Sequence, residues 1–248
     1  MKDALLDIVK VVSVLPFSIV KVTGNNGEVT LQSRLEDAAV GTVYFRGKLS
    51  KPTKEFDGVF GLGNIPMLVG LTGVEAFRDK DAKISVNRKD RNGISIPEEI
   101  TFEKTGFGKA SYRLTGEKAI PAQAKQVADI EWDVVVDQPS KKKIDEFAQL
   151  AGIYSTQEAK FSIKTENRQL KFLIGDENAA THKAQVVFAE EVQGTIKPNF
   201  TWNISGILNV LKLGGRANTT LRICSQGILQ IDVDTGLGVY TYIFAGAQ

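Results

Sequence analysis

The chain has 248 residues, with 31 Lys and Arg against 29 Asp and Glu, one His and one Cys, so its formal charge is +2 at pH 7. A single thiol, Cys224, closes no internal disulfide, and one thiol with one imidazole, His182, cannot supply the usual nitrogen and sulfur zinc set. No apolar run reaches the length of a membrane-spanning helix, and a charge of +3 over residues 1–120 and −1 over the rest is far from a strongly basic nucleic-acid-binding balance. Met1 to Val20 reads as mature sequence because Asp3, Asp7 and Lys10 punctuate it at helical spacing. The expectation is a soluble, reduced, cytoplasmic protein.

In chain order, the first element is an amphipathic helix over Asp3–Val14, with apolar Leu5, Ile8, Val9 and Val12. Strands follow at Ser18–Val22, Val29–Ser33 and Thr42–Lys48, with Gly24-Asn25-Asn26-Gly27 turning the first into the second. Asn64 and Pro66 open a second helix that Gly73 closes. Lys83–Arg88, Ile94–Lys104 and Ala110–Leu114 complete a domain spanning 1–114. Residues 115–128 read as a connector, and a second domain spans 129–248.

That second domain repeats the order. A helix over Lys141–Ala151 is placed to be capped by Ser140 and ended by Gly152. Strands Lys160–Thr165, Gln169–Ile174 and Ala184–Glu190 precede a helix opened by Asn203, and Thr219–Cys224, Ile228–Val233 and Val239–Phe244 close the domain. Apolar residues of the halves match at a spacing of 142: Phe60 with Trp202, Leu62 with Ile204, Ile65 with Ile207, Leu68 with Val210, Leu71 with Leu213, and Leu5 with Phe147. The reading is a structural duplication. Each half is α+β, with antiparallel strands covered on one face.

Chemistry is sparse. Gly106-Phe107-Gly108-Lys109 lies between strands and lacks the glycine spacing of a phosphate loop. His182 and Cys224 have no partner that makes a nucleophile–base pair in the sequence. Glu98-Glu99, Asp176-Glu177 and Glu190-Glu191 are adjacent pairs, which on strands point to opposite faces. Asp232 and Asp234 share a face and form a weak candidate for a cation. Lys141-Lys142-Lys143 is more informative, because three cations in the first turn of a helix oppose its macrodipole. A phosphate-facing role and a solvated face with partial compensation by Asp145 and Glu146 both account for it.

The duplicated order of helix, strands, helix and strands resembles the two-domain DNA sliding clamps, the processivity factors of T-even-like phages and the proliferating-cell nuclear antigens. The likeness rests on Val29–Ser33 with Val43-Tyr44-Phe45, on Phe56 through Leu71, and on the ending Tyr240–Ala245. No acidic extension follows the last strand, which resembles the phage clamps more closely and implies a viral protein in host cytoplasm. The resemblance implies a clamp fold with two similar domains, closed head to tail as a homotrimeric ring around double-stranded DNA. A clamp loader ATPase opens such a ring, and the ring tethers the replicative DNA polymerase without enzymatic activity, cofactor or metal. Mapped here, Lys10, Lys141, Lys142, Lys143, Lys212 and Arg216 face DNA. Leu35, Ile120, Pro121, Val127, Ile243, Phe244 and Ala245 form a pocket for partner peptides. The helix Ile65–Leu71 departs from the pattern, since it has no basic residue. The alternative is a β-rich virion or tail component without activity.

Overall fold

The computed structural model describes residues 1–91, 93–122, 130–175, 182–214 and 218–248. They group into two compact units. One gathers Met1–Arg34, Phe45–Ala124 and Thr235–Tyr240, and the other Leu35–Tyr44, Lys125–Asp234 and Thr241–Gln248. Each unit therefore includes a piece of chain from outside its own half of the sequence.

In the first unit, helix α1 (Lys2–Val12) buries Leu5, Ile8, Val9 and Val12, as its apolar spacing dictates. Strand β1 (Ile19–Asn25) turns into β2 (Glu28–Asp37) through Asn26 and Gly27, both at positive φ (52° and 85°), the backbone that a two-residue hairpin loop requires. After β3 (Gly41–Leu49) comes β4 (Gly58–Gly63), which pairs with β1 on one side and with the short β8 (Thr115–Gly116) on the other. Helix α2 (Ile65–Gly73) starts at Asn64, whose side chain accepts a hydrogen bond from the Met67 amide at 3.4 Å. A single turn, α3 (Glu75–Arg78), leads to an antiparallel sheet in the order β5 (Lys83–Arg91), β6 (Ile94–Lys104), β7 (Gly108–Arg113).

The second unit repeats these parts. Strand β9 (Val134–Asp137) precedes helix α4 (Lys141–Tyr154). Strands β10 (Lys160–Glu166), β11 (Gln169–Ile174), β12 (Ala184–Ala189) and β13 (Thr201–Asn203) form a sheet in the order β12–β11–β10–β13. The β10–β11 loop, Asn167 and Arg168, again has two positive φ values. Helix α5 (Ile204–Leu213) leads into β14 (Asn218–Cys224), β15 (Ile228–Asp234) and β16 (Gly238–Ala245), and β14 lies between β9 and β15. Its core is aromatic: Phe172 stacks on Phe188 at 4.2 Å, and Phe147, Phe161 and Trp202 pack around them.

The duplication is present, but its spacing is shorter than the apolar matches indicate. Lys2 and Lys141 open α1 and α4, and Asn64 and Asn203 precede α2 and α5, each pair 139 residues apart. In the sheets Val20 faces Leu62 and Phe161 faces Trp202, so Leu62, rather than Phe60, is the counterpart of Trp202. Likewise Leu5, Ile8 and Val12 correspond to Ile144, Phe147 and Ala151, all buried. A slip of three residues on a helix, or two on a strand, returns an apolar residue to nearly the same face. Matching by hydrophobicity is blind to such slips.

Local signals also differ. Ser140 stands at the N-cap of α4 without a side-chain capping bond. The helix runs through Gly152 to Tyr154, whose hydroxyl donates to the Lys183 carbonyl at 3.1 Å and anchors the final turn. Two buried polar contacts in the first unit are not signalled by periodicity. Asp7 is 7% exposed, and its Oδ2 accepts from the Thr235 hydroxyl at 2.7 Å and the Tyr240 hydroxyl at 2.6 Å. The Tyr112 hydroxyl donates to the Gly63 carbonyl, fixing β7 to the chain just before α2.

Replacing Asp7 by Ala strips two hydroxyls of a charged acceptor and lowers unfolding free energy by about 3 kcal/mol in a urea titration, whereas Asp7→Asn costs about 1 kcal/mol. Burial pushes the Tyr112 phenol up to about 12. The folded state thus favours the neutral hydroxyl. This contribution is complete below the ordinary tyrosine value near 10 and is lost as pH rises toward 12. Urea titrations at pH 9 and pH 11.5 should show a smaller alkaline loss in Tyr112→Phe than in the parent.

Candidate nucleic-acid interface

Each unit packs two helices on each other, α1 with α2 and α4 with α5. Their outward faces differ in kind. On α2 the exposed positions are Pro66, Met67, Val69, Gly70 and Gly73, with Met67 at 47% and Val69 at 40% exposure. That surface is uncharged. On α1 Lys10 is exposed in the last turn, while the Lys2 ammonium donates to the carbonyls of Arg78 at 2.9 Å and Asp79 at 2.5 Å.

On α4 the three lysines pair within their own helix. Lys141 meets Asp145 at 2.7 Å, Lys142 meets Glu146 at 3.8 Å and Lys143 meets Glu146 at 3.0 Å. The carboxylates stand three or four residues after the cations, the weaker orientation for such pairs on a helix. They do neutralise part of the charge that the macrodipole disfavours in the first turn. Lys141 and Lys142 keep side-chain exposures of 76% and 82%. Pairs this open are worth about 0.3–0.5 kcal/mol each, so exchanging a carboxylate for another anion costs little. Lys212 is exposed in the last turn of α5, where the dipole favours a cation. Arg216 lies outside the described residues.

Other cations are committed elsewhere. Lys104 bonds to Asp81 and lies 3.1 Å from Asp79. The hydrogen bond holds the Asp81 carboxyl below, and the Lys104 ammonium above, their ordinary values. Buried Lys171 donates to Glu166 at 2.5 Å and lowers its pKa in the same way. Arg88 bridges the carbonyls of Glu55 and Asp57 and the Ser95 hydroxyl.

The residues expected to form a peptide pocket divide by burial. Leu35, Ile243 and Phe244 are buried, Ile120 is half-buried, and Pro121 and Ala245 are exposed. Val127 and the Asp176-Glu177 pair lie outside the described residues. The candidate cation pair is occupied by the protein itself: Asp232 is paired with Arg222 and accepts from Gln230 and from the Thr241 hydroxyl at 2.7 Å. Among the described residues, no cluster of three His, Cys, Asp or Glu is placed to hold a metal. His182 is exposed just before β12 and Cys224 is buried on β14. Gly106 and Gly108 form a tight turn between β6 and β7, not a loop opening a helix.

No family model and no curated protein matches the chain. Solved structures do, over nearly its whole length. Proliferating cellular nuclear antigen from Entamoeba histolytica superposes with a TM-score of 0.65 at 13% identity, covering 99% of this chain and 96% of that one. The corresponding antigen of A. fulgidus, bound to the C-terminal region of FEN-1, gives 0.68 at 11%, covering 100% and 96%. That of Thermococcus kodakaraensis gives 0.65 at 12%, covering 98% and 97%. The fold is that of the DNA sliding clamps. More narrowly, it is the two-unit α+β architecture of proliferating-cell nuclear antigen, with mostly antiparallel strands and few helices.

Because the α4 pairs are exposed and poorly oriented, replacing Lys141, Lys142 and Lys143 together by Ala should change unfolding free energy by less than about 1 kcal/mol. A larger loss on urea unfolding would give these lysines a structural role.

Proposed function

We propose that this protein is a sliding clamp: copies of the chain join head to tail into a trimeric ring that encircles duplex DNA and tethers a polymerase. The observation that carries the reading is the clamp fold across essentially the full chain, with exposed, loosely paired lysines on helices rather than in a cleft. Lys141, Lys142 and Lys143, with Lys212 and Lys10, make loose phosphate contacts that centre DNA without reading bases. Arg216 is assigned to the same role from the sequence alone.

A ring needs a loader that opens it, and we assign this chain a loader ATPase and a replicative polymerase as partners. The A. fulgidus neighbour holds the C-terminal region of FEN-1. By analogy, short segments of partner proteins engage this chain through those expected residues that keep exposed surface: Ile120, Pro121 and Ala245.

Sedimentation should give a mass about three times 27.1 kDa. With a loader present, the protein should stay on nicked circular DNA and leave when the circle is linearised. A monomer, or retention indifferent to linearisation, removes the reading. In the Lys141, Lys142 and Lys143 triple alanine variant, DNA binding should depend less steeply on salt, by roughly one unit of slope for each phosphate no longer neutralised, with the trimer intact.

A further inference from the structure

Directly opposed residues of antiparallel strands share a face, so the core-facing residues of a sheet fall in rows. In the second unit two rows cross β14: Val136, Leu221 and Ile231, then Val134, Ile223 and Leu229. All six are buried, because β9 ends each row with a valine. In the first unit the rows cross β5: Ile84, Phe102 and Ala110, then Val86, Ile100 and Tyr112. Phe102, Ile100 and Tyr112 are buried, yet Ile84 and Val86 are only half-buried. Among the described residues no strand takes the place of β9 there: β5 pairs with β6 alone and ends its sheet.

The open stretch is Lys83–Asn87. After it a bulge between Asn87 and Arg88 re-aims the strand, and the Arg88 guanidinium reaches the carbonyls of Glu55 and Asp57. Before it Lys104 holds Asp79 and Asp81, and Lys2 binds the carbonyls of Arg78 and Asp79. Both flanks are thus engaged, whereas the edge between them is a template for another strand. The rows dictate what fits. A strand laid antiparallel on the edge places apolar side chains opposite Ile84 and Val86 and turns the residue opposite Ser85 outward. It also sets its next residue against Lys83, which is exposed and stands opposite exposed Glu103 on β6. A carboxylate there meets the cation from its outer side. The sequence Val134-Val135-Val136-Asp137 of β9 has this pattern, and on its own edge Asp137 accepts from the Thr220 hydroxyl at 2.9 Å.

We propose that the Lys83–Asn87 edge of β5 is a docking site for an extended segment of a partner protein, with the pattern apolar, any, apolar, acidic, which adds as a fourth strand of this sheet. Main-chain hydrogen bonds supply the affinity, as in other recognition by strand addition. The two apolar residues and the acid fix the register, since a slip of one residue would turn both apolar side chains to water. The bound segment completes the two rows that end at Ile84 and Val86, as β9 completes those of the second unit. The site lies within one unit and does not depend on the ring.

The probe is a fluorescently labelled peptide with the sequence of residues 130–138, added to the full chain. Anisotropy should show saturable binding, and hydrogen exchange should slow at the amides of residues 83–87. Lys83→Glu, at an exposed position, should weaken binding about fivefold, the size of one opposed charge pair, and Asp137→Lys in the peptide should restore it. A peptide with Val134→Asp and Val136→Asp together should not bind. The site is overturned by an absence of binding at millimolar peptide, or by an affinity indifferent to Lys83→Glu. Protection confined to residues 218–224 overturns it too, because the peptide would then merely replace β9. None of these outcomes alters the mass of the parent, on which the ring reading is judged separately.

Discussion

Asp7 sits on the inner side of α1 at 7% exposure, where a carboxylate is tolerated only with donors close around it. Its donors are hydroxyls of Thr235 and Tyr240, more than two hundred residues away in sequence. Much of the first unit follows from meeting that requirement. The turn carrying Thr235 must lie on α1, the Tyr240 ring must lie on β3, and β3 must then have glycine at position 47. Phe45 stacks near-parallel to Tyr240 at 6.3 Å and Phe17 packs on Phe45, so the aromatic core grows outward from the same point.

The sequence made the element order and the duplication legible because apolar periodicity survives in each helix and strand. It did not make the spacing legible, because Leu5 against Phe147 and Phe60 against Trp202 preserve the apolar face while slipping by three and two residues. Nor did composition mark Asp7, since an acid at helical spacing reads as part of the wet face until its distant donors are known. Tyr112 is similar: its partner, the Gly63 carbonyl, is a backbone atom and leaves no trace in residue types. The lysine triplet was visible, and so were Asp145 and Glu146 three and four residues on. What the sequence alone could not decide was whether those carboxylates close on the lysines.

The cation distribution has its own logic. Lys2, Lys104, Lys171 and Arg88 hold elements together, while the exposed lysines of α4 are only loosely paired. The α2 surface is left without charge. Affinity for a polyanion rises with every phosphate neutralised, so few and weakly held cations accord with the proposed function, in which enclosure rather than affinity would hold DNA. A near-neutral chain and a DNA partner are compatible on those terms.

The exchange of segments between the compact units bears on how the protein is made. Leu35–Tyr44 counts with the second unit and Thr235–Tyr240 with the first. On the ribosome, the first hundred residues emerge early, yet the unit they belong to lacks its partner for Asp7 until residues near 240 have left the exit tunnel. Neither unit therefore has all of its own chain until residues beyond Asp234 have been made. A nascent chain stalled before residue 235 has an unpaired acid in a partly assembled core. The finished chain supplies that acid with the hydroxyls of Thr235 and Tyr240.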